Sequence, residues 1–384
     1  MRTVRRLTLR SACIGVLAAA VMAVGNPAGA SPPAKTFAGQ PAHTYIPSAP
    51  GIAIALSSFD LPDPFILNAN GKYYLYLSSA YGNATQNVPL LVGGPGHWSR
   101  HSIDAVPQLP AWAIGDPSLN DLTWSPAVYK FGRRYVMYLA PQIRGSNPTQ
   151  HCIAIASASR PTGPFVVSPT PFVCQGSLGG DIDPEVFVDP HGPDGPTRPN
   201  YFIWKSDNNS TPGDGLASIW AQPLSNDGST LEGNPVLIFR TDETWQSTLV
   251  EAPQMALSPN GSVWMFFSAG KGYFSTDYGM GAVRCTGPLG PCTHPLPGPL
   301  ITTNDQGSGP GEETYFIGPD GSDWLLYSPV HTGDAFETFR PVEAARIGWN
   351  SAGPYVADAG SFPSPGRCTG RASHAASRSQ GCTR

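Results

Sequence analysis

A β-hairpin pattern that recurs five times, about every 60 residues, limits this sequence to a small set of folds. In each repeat, two stretches of alternating apolar and aromatic residues flank a short turn that contains glycine. The stretches are DPFILNANGKYYLYLSS from Asp63, SPAVYKFGRRYVMYLAP from Ser125, DPEVFVDPHG with NYFIWKS from Asp183, APQMALSPNGSVWMFFSA from Ala252 and ETYFIGPDGSDWLLYSP from Glu313. This regularity indicates a repeat architecture built from short strands.

Each repeat has room for about four strands, and four-stranded sheets arranged radially form a β-propeller. The sequence therefore predicts an all-β, five-bladed β-propeller over residues 52–365, with a leader at 31–51 and a small tail at 366–384. The helical pattern is too weak for a parallel α/β barrel. A two-sheet sandwich stays open as an alternative, because alternating strands do not by themselves determine how sheets close.

Residues 1–30 have the pattern of a secretory signal peptide: arginines, an apolar run, and an A-x-A cleavage site at its end. The apolar run is far shorter than the ~20 residues that span a bilayer. The cysteines that follow are even in number, which predicts disulfides in an extracellular protein. Their order suggests three sequential pairs, although other pairings are open: Cys152/Cys174, Cys285/Cys292 and Cys368/Cys382.

Charged residues make up only 13% of the chain, and its net charge is −4. This composition provides no basic surface for nucleic acid or for an anionic membrane, so we expect neither as a partner. Glycine and proline are abundant, but an apolar content of 40% favours a packed core with many tight turns over disorder. We expect a monomer that requires no cofactor.

Against this charge-poor background, carboxylates occur where three of the repeats begin. Asp63 and Asp183 each precede a proline in the first and third repeats, and Glu251 stands just before the fourth. Because the innermost strand of each blade lines the channel of a propeller, these carboxylates should converge at one end of it. Crowding and desolvation raise the pKa of at least one carboxyl in such a site, which suits glycosidic bond cleavage. Alternatively, these residues only stabilise turns that lead into strands.

Several short blocks resemble glycoside hydrolase family 43, a family of five-bladed propeller furanosidases and xylosidases. DPF, IDPEVF and VEAPQM are similar to its three catalytic blocks, and LTWSPAVY, ASRPTGPF, CTGPLGPC and RIGWNSAGP to further elements, over residues 60–354. The resemblance implies that Asp63 is the general base, that Glu251 is the general acid, and that Asp183 tunes the pKa of Glu251 and orients it. It also implies hydrolysis with inversion at a pocket in the central channel.

The other acids of GGDIDPEVFVDPHG are then expected to cap the strand and its turn: Asp181, Glu185 and Asp189. One position departs from the family pattern. The fifth blade of the family usually begins G-x-G-H, often near a bound cation, whereas this chain has GPGEETYF with Glu312 at that place. Glu312 could bind a structural calcium, replace a hydrogen bond of the histidine, or mark a divergent subgroup. His331 is a second candidate for the role of the histidine, although a lone histidine beside a strand is more often structural.

Aromatic side chains near the channel are candidates to stack on sugar rings, namely Trp112, Trp124, Trp204, Trp245, Phe274 and Tyr278. Trp124 is favoured, because it directly precedes the second repeat's counterpart of Asp63. Arg340 is a further candidate substrate contact, with a surface position as its alternative.

Together these features predict a secreted, inverting glycoside hydrolase that acts on arabinose-containing plant polysaccharides, as an α-L-arabinofuranosidase or an arabinanase. A β-xylosidase is the alternative within the family, since the shape of the pocket decides between the two. A non-catalytic propeller that binds glycans is the alternative outside it, because fold does not imply function.

Overall fold

The computed structural model of the chain describes residues 60–79, 86–95, 97–114, 122–147, 149–189, 199–210, 215–303, 308–329 and 340–357. These residues fall within the segment predicted to form the propeller. The predicted signal peptide, leader and tail lie outside the described residues, as do Cys368, Cys382 and His331.

The described strands form five four-stranded antiparallel sheets, here called blades 1 to 5. Blade 1 contains β1 (Phe65–Ala69), β2 (Lys72–Tyr76), β3 (Leu90–Gly94) and β4 (His97–Arg100). Blade 2 contains β5 (Thr123–Phe131), β6 (Arg134–Pro141), β7 (Ala154–Ala158) and β8 (Val166–Val167). Blade 3 contains β9 (Asp181–Val188), β10 (Asn200–Ser206), β11 (Ser218–Leu224) and β12 (Val236–Arg240).

The last two blades follow the same plan. Blade 4 contains β13 (Leu249–Leu257), β14 (Val263–Gly270), β15 (Gly279–Cys285) and β16 (Cys292–Thr293). Blade 5 contains β17 (Thr314–Ile317), β18 (Asp323–Tyr327), β19 (Glu343–Trp349) and β20 (Pro354–Val356). Within the described residues, helix is limited to single 3-10 turns at Gly176–Leu178, Asn208–Ser210 and Thr244–Gln246.

The first two strands of each blade are one of the predicted hairpins. In blade 1, Ala69 pairs with Lys72 across the turn Asn70-Gly71, whose φ angles of 53° and 71° are left-handed. Asparagine and glycine adopt this conformation more readily than other residues, and a two-residue turn of this type matches the twist of the strands it joins. The turn residues thus determine the register of the apolar strands.

The five blades close into a ring through their innermost strands. β1 contacts β5, β5 contacts β9, β9 contacts β13, β13 contacts β17, and β17 contacts β1. This confirms the predicted five-bladed β-propeller and excludes the two-sheet sandwich. Buried side chains fill the space between neighbouring blades: the Tyr129 and Phe65 rings, for example, lie 5.2 Å apart between blades 2 and 1. Burying an apolar side chain of this size contributes about 1.5–3 kcal/mol to stability.

An ion pair links blade 5 to blade 1 where the ring closes. The Arg340 guanidinium donates hydrogen bonds to Asp60, from Nε to Oδ1 at 2.9 Å and from Nη2 to Oδ2 at 2.8 Å. The Arg340 backbone N–H also donates to Asp60 Oδ1, at 2.8 Å, and the Arg340 carbonyl accepts from the Leu61 N–H at 3.2 Å. Both side chains are largely buried, with exposed fractions of 10% and 13%. Arg340 therefore links blade 5 to blade 1 and stabilises the closed ring.

Replacing Arg340 with methionine is expected to lower the free energy of unfolding by about 3–5 kcal/mol, because the buried Asp60 carboxylate loses the guanidinium that compensates its charge. Urea unfolding followed by tryptophan fluorescence measures the loss. Arg346→Met is the matched control, since Arg346 lies exposed on β19. Its replacement should change the free energy of unfolding by less than about 0.5 kcal/mol. Equal stability of the two variants would contradict the closing role of Arg340.

Two of the predicted disulfides fall within the described residues, and both are present. Cys152 bonds Cys174 with a Cα–Cα distance of 4.8 Å, and Cys285 bonds Cys292 with a Cα–Cα distance of 3.9 Å. The second disulfide joins β15 to β16, the two outer strands of blade 4. Among the described residues, no helix is long and apolar enough to cross a membrane.

Candidate active site

One backbone conformation recurs near the start of the innermost strand of every blade. It is a left-handed φ angle between 48° and 57°, found at Asp63, Ser125, Asp183, Ala252 and Glu312. Register shifts mark β-bulges at this point in blades 2, 3 and 4. A left-handed conformation costs a residue other than glycine about 1–2 kcal/mol, so it persists only where the surrounding structure imposes it.

The five left-handed residues line one pocket, with a narrow inner space of about 30 Å³. That volume holds roughly two water molecules. Residues that follow them along the strands complete the lining: Phe65, Pro126, Ala127, Pro184, Gln254, Glu313 and Thr314. Asp63 and Asp183 thus face one pocket from two blades, and Glu251 precedes the Ala252 of a third.

Asp183 is buried and is held by two neighbouring blades. Its Oδ1 accepts a hydrogen bond from the Ser125 hydroxyl at 2.6 Å, and its Oδ2 accepts one from the Ala252 N–H at 2.9 Å. Burial raises the pKa of Asp183 to about 7, and the negative charge of Glu251 adds to the rise. The Lys205 charge and the two hydrogen bonds act in the opposite direction. Asp183 is therefore hydrogen-bonded to Ala252, the residue beside Glu251, and its pKa depends on the charge of Glu251.

Glu251 is buried between a lysine and a tyrosine. Lys205 Nζ lies 2.8 Å from Glu251 Oε2 and also 2.8 Å from Asp207 Oδ1. The Tyr278 hydroxyl lies 2.7 Å from the other oxygen of Glu251, Oε1. Lys205 is only 2% exposed, so the interaction of its charge with Glu251 is little screened by water.

Asp63 is the most open of the three predicted catalytic acids, being partly exposed where Asp183 and Glu251 are buried. Its Oδ2 accepts a hydrogen bond from the Ser78 hydroxyl. The same Ser78 oxygen accepts from the Ser125 N–H at 2.7 Å. A chain of hydrogen bonds therefore runs from Asp63 through Ser78 and Ser125 to Asp183, and holds two acids of the pocket in fixed relation.

Glu312 also lines the pocket, as Asp63 and Asp183 do. Its Oε1 lies 2.9 Å from the Tyr278 hydroxyl, and its backbone N–H donates to Ser268 Oγ at 2.9 Å. Burial raises its pKa well above the usual range, and the charges of Glu251, Asp63 and Asp183 raise it further. The described residues contain no cluster of three or more His, Cys, Asp or Glu that could hold a metal ion.

The acids that flank Asp183 in the sequence bind backbone and neighbouring side chains. Asp181 accepts from the Trp204 indole N–H at 3.0 Å and from the Gln175 N–H. Glu185 accepts from the Met255 N–H of blade 4 at 2.7 Å. Asp181 thus binds residues near its own strand, whereas Glu185 links blade 3 to blade 4. Asp189 follows β9, and its N–H donates to the Pro199 carbonyl at 3.1 Å.

Two aromatic predictions need correction. Trp204 was expected to contact substrate, but it is 1% exposed in the core, with its indole N–H bonded to Asp181 and Gln175. A ring without an open face cannot stack on a sugar. Tyr278 is equally buried, and its hydroxyl lies between Glu251 and Glu312. Its place is inside the acid cluster rather than on a binding surface.

The remaining aromatic candidates differ in how open they are. Phe274 is the most exposed, at 61%, in the loop between β14 and β15. Trp124 is partly exposed beside Ser125 and stacks one face on His151, with ring centroids 3.7 Å apart. Trp112 is partly buried against the core, and Trp245 stacks on Phe267. Phe274, Trp124 and Trp112 stay candidate substrate contacts.

Arg340, by contrast, is occupied by structure. Its guanidinium is bonded to Asp60 and lies over the ring of Tyr273, 4.7 Å from the centroid. This position corrects both expectations for Arg340, a substrate contact and a surface arginine, because its donors face a buried carboxylate.

Sequence reasoning missed Lys205 and the serines that bind the acids. Lys205 is the one charged residue in the apolar stretch NYFIWKS, an unusual position in so charge-poor a chain, and that was the available signal. Ser78, Ser125 and Ser268 carried no comparable signal, since serine is common at the ends of strands. Their contacts depend on how neighbouring blades meet.

Glu313 makes stability depend on pH. Its side chain is buried, Oε2 accepts from the Ser268 hydroxyl, and burial raises its pKa from 4.5 to about 8. The folded state therefore holds a proton that the unfolded state has released, and this stabilisation is complete below about pH 4.5 and is lost as the pH rises through 8.

Glu313→Gln keeps a neutral side chain at every pH and is expected to remove this dependence. Between about pH 5 and 8, the free energy of unfolding of the wild type should fall, relative to the variant, by up to about 1.4 kcal/mol per pH unit. Urea unfolding at a series of pH values measures the difference. A difference that stays constant from pH 5 to 9, or rises with pH, would contradict the raised pKa of Glu313.

Comparison with known proteins adds an independent line of evidence. The family model described as "Glycosyl hydrolases family 43" matches residues 53–354, well over half of the chain. No curated protein matches the chain.

The chain is also similar to solved structures. One is a thermostable family-43 glycoside hydrolase, at 24% identity and a TM-score of 0.65, with 79% of this chain and 96% of that one covered. Another is an α-L-arabinofuranosidase from Lactobacillus brevis, at 18% identity and a TM-score of 0.62, with 83% and 97% covered. A third is an endo-1,4-β-xylanase from Bacteroides thetaiotaomicron, at 19% identity and a TM-score of 0.61, with 81% and 98% covered. At these identities the likeness supports the propeller fold.

Proposed function

Because the chain belongs to glycosyl hydrolases family 43 and is a glycoside hydrolase, we propose that it cleaves arabinose-containing plant polysaccharides with inversion of configuration. In this proposal, Asp63 activates water as general base, and Glu251 protonates the departing sugar oxygen as general acid. Asp183 orients Glu251 and tunes its pKa. The pocket at the channel end of the blades is the active site.

The observation that carries the proposal is the linkage of three carboxyl groups from three blades. Asp63 and Asp183 line one pocket and are joined through Ser78 and Ser125. Asp183 is bonded in turn to the N–H of Ala252, directly beside Glu251. A protein that only bound glycans would gain nothing from three acids whose charges oppose one another. Acid and base catalysis requires groups of this kind in different protonation states.

The separate surroundings of Asp63 and Glu251 support their different roles. Asp63 is partly exposed, so water can reach it, and its Oδ2 accepts a hydrogen bond from the Ser78 hydroxyl. Glu251 is buried beside a tyrosine hydroxyl and a lysine. An inverting pair stands roughly 6.5–9.5 Å apart and holds a water molecule and the sugar between the two groups.

The preference for arabinose rests on likeness to an α-L-arabinofuranosidase, and the likeness to a xylanase keeps a β-xylosidase as the second candidate. Both sugars are pentoses, so the size of the sugar does not by itself distinguish the two candidates. Phe274, Trp124 and Trp112 are proposed to contact the sugar chain, because aromatic faces stack on sugar rings. Contacts outside the pocket then decide which polysaccharide binds.

The test is sugar release by the mature protein from three substrates: nitrophenyl α-L-arabinofuranoside, nitrophenyl β-D-xyloside and linear arabinan. We expect arabinose release, with the first product detected by proton NMR as the β-anomer, opposite to the α-linkage of the substrate. Release of the α-anomer would overturn inversion, and preferred cleavage of the xyloside would establish the second candidate. Binding of arabinan with no sugar released from any substrate would indicate a glycan-binding propeller.

We also propose that the protein is secreted. The signal-like segment at 1–30 supports this, and so do the two disulfides, which form and persist in oxidising compartments. Mass spectrometry of the protein recovered from culture medium, with an N-terminus after Ala30, is the expected result.

A further inference from the structure

We propose that Glu312 stores the proton that Glu251 gives to the departing sugar, and that Tyr278 passes it between the two carboxyl groups. The inference rests on the proposed function, because it takes Glu251 to be the general acid. It assigns a role to Glu312, the carboxyl at the position where this chain departs from the family pattern.

The geometry is a short line of three oxygen atoms. The Tyr278 hydroxyl lies 2.7 Å from Glu251 Oε1 and 2.9 Å from Glu312 Oε1, and both are hydrogen-bond distances. The tyrosine is fully buried and packs against Gly311, where even a methyl group would overlap its ring. Tyr278 is thus fixed between the two acids.

A count of protons shows that one of the two acids is protonated. A phenol hydroxyl has a single proton and can donate to only one oxygen. The second short contact must therefore receive its proton from a carboxylic acid, which donates to the phenol oxygen. The line consequently holds two protons for three oxygens, one on Tyr278 and one on either Glu251 or Glu312.

The charges around the line place the resting proton on Glu312. Glu251 lies 2.8 Å from the Lys205 ammonium. Glu312 has no ammonium at that distance among the described residues, and the acids that face it from other blades are Asp63, Asp183 and Glu251. Burial together with these charges raises the pKa of Glu312 well above its usual range. The resting arrangement is Glu312–OH, Tyr278–OH and Glu251 carboxylate.

The transfer is balanced in protons and electrons. The Tyr278 proton moves to Glu251 Oε1 while the Glu312 proton moves to the Tyr278 oxygen, so the phenol remains neutral and Glu312 becomes a carboxylate. Glu251 then gives the proton to the glycosidic oxygen as the bond from the sugar carbon to that oxygen breaks and its electron pair stays on the oxygen. The oxygen of the attacking water bonds to the same sugar carbon, and Asp63 takes a proton from that water. Asp63 returns that proton to solvent, and Glu312 recovers one from solvent.

This arrangement also explains how Glu251 can act as an acid beside a lysine. The ammonium that favours the carboxylate keeps Glu251 ready to accept a proton, and a neighbour with the opposite preference supplies it. Burial raises the pKa of the Tyr278 phenol as well, so the phenol stays neutral during the transfer. The two carboxyl groups then divide the tasks of holding the proton and delivering it.

The test compares Glu312→Gln and Tyr278→Phe with the wild type on two substrates that differ only in their need for an acid. Linear arabino-oligosaccharide has a sugar alcohol as leaving group, which must be protonated. Nitrophenyl α-L-arabinofuranoside releases a stable anion, which need not be. We expect kcat/KM on the oligosaccharide to fall about 10- to 100-fold in both variants, while kcat/KM on the nitrophenyl substrate stays within about threefold of the wild type.

The pH profile gives a second readout that a purely structural role would not move. With Glu312→Gln, the alkaline limb of kcat on the oligosaccharide should shift to lower pH, because the carboxyl group that supplies Glu251 with a proton through Tyr278 is gone. The glutamine amide can still donate a hydrogen bond to the Tyr278 oxygen, as the Glu312 carboxylic acid does, so the geometry of the line is preserved. Tyr315→Phe and Asp323→Asn are the matched controls, since the Tyr315 hydroxyl donates to Asp323 at 2.7 Å at the opposite end of the blade 5 hairpin. Both should keep the wild-type dependence on leaving group.

Three outcomes would overturn the inference. Wild-type rates and an unchanged alkaline limb in Glu312→Gln would mean that no proton is drawn from this carboxyl. An equal loss on both substrates would mean that Glu312 and Tyr278 are structural only. A lower kcat/KM on the oligosaccharide in Tyr278→Phe, with no change in Glu312→Gln, would mean that Tyr278 acts in the site but that Glu312 does not supply its proton. Glu251→Gln is measured in parallel: if it shows no dependence on the leaving group, the proposed acid is wrong, and the failure lies there.

Discussion

Glu251→Ala is expected to lower kcat/KM for linear arabinan by about 10²- to 10⁴-fold, because the departing sugar oxygen leaves without a proton. The loss on nitrophenyl α-L-arabinofuranoside should be much smaller, since that leaving group is stable as an anion. The ratio of the two losses is the measured quantity, obtained from reducing-sugar release for arabinan and nitrophenolate absorbance for the small substrate. A large ratio identifies an acid, whereas a general loss of structure lowers both rates alike.

Two further variants test whether the loss of activity in Glu251→Ala comes from the missing acid or from a disturbed fold. Glu251→Ala removes one of the two carboxylates that compensate the buried Lys205, so its fold needs checking by circular dichroism. Glu251→Gln keeps the size of the side chain and should show the same dependence on the leaving group. Glu232→Ala, an exposed glutamate of blade 3, should keep wild-type rates on both substrates. Similar losses on the two substrates in Glu251→Gln would remove Glu251 from the role of acid.

Asp63→Ala is expected to lower kcat/KM by about 10²- to 10⁴-fold on both substrates, because the attacking water needs a base whichever group departs. This pattern differs from that of Glu251→Ala, and the difference separates the two roles. Rates are measured on the same arabinan and nitrophenyl substrates, at the pH optimum of the wild type. Alanine also has no oxygen to accept the Ser78 hydrogen bond, so the unfolding temperature is recorded alongside.

The matched control is Asp242→Ala. Asp242 has a side chain that is 47% exposed and pairs with His294 near a 3-10 turn of blade 4, so its loss leaves the pocket intact. It should retain wild-type kcat/KM. If Asp63→Ala kept more than about a tenth of the wild-type rate on both substrates, a different group would have to activate the water.

The propeller was predictable because its determinants are local. Each hairpin is encoded by alternation around a turn such as Asn70-Gly71, and the spacing of the repeats determines how many blades form. The acids were predictable for a related reason. Asp63 and Asp183 occupy equivalent places in two repeats, so the symmetry of the fold brings them to one pocket.

The surroundings of the acids were not predictable, since they depend on contacts between blades. Nothing near Trp204 in the sequence shows that Gln175 and Asp181 enclose its indole nitrogen. The same holds for Tyr278, whose hydroxyl meets two acids that are 27 and 34 positions away in the chain. Aromatic residues are interpreted poorly from sequence because burial and exposure give them the same pattern.

The shared left-handed conformation at the start of each blade has a consequence for how such proteins diverge. The backbone has the same left-handed conformation at this position in each blade, but the side chain differs. It is aspartate in two blades, and serine, alanine and glutamate in the others. The backbone conformation at these positions can therefore be conserved while the catalytic side chains change. Serine and alanine each already occupy one of these five positions, at Ser125 and Ala252. A related protein with serine or alanine in place of the acids would therefore keep the propeller backbone while losing the catalytic groups. Inactive relatives of this kind are expected to have the same backbone as active ones. Only the side chains at the five left-handed positions would distinguish the two.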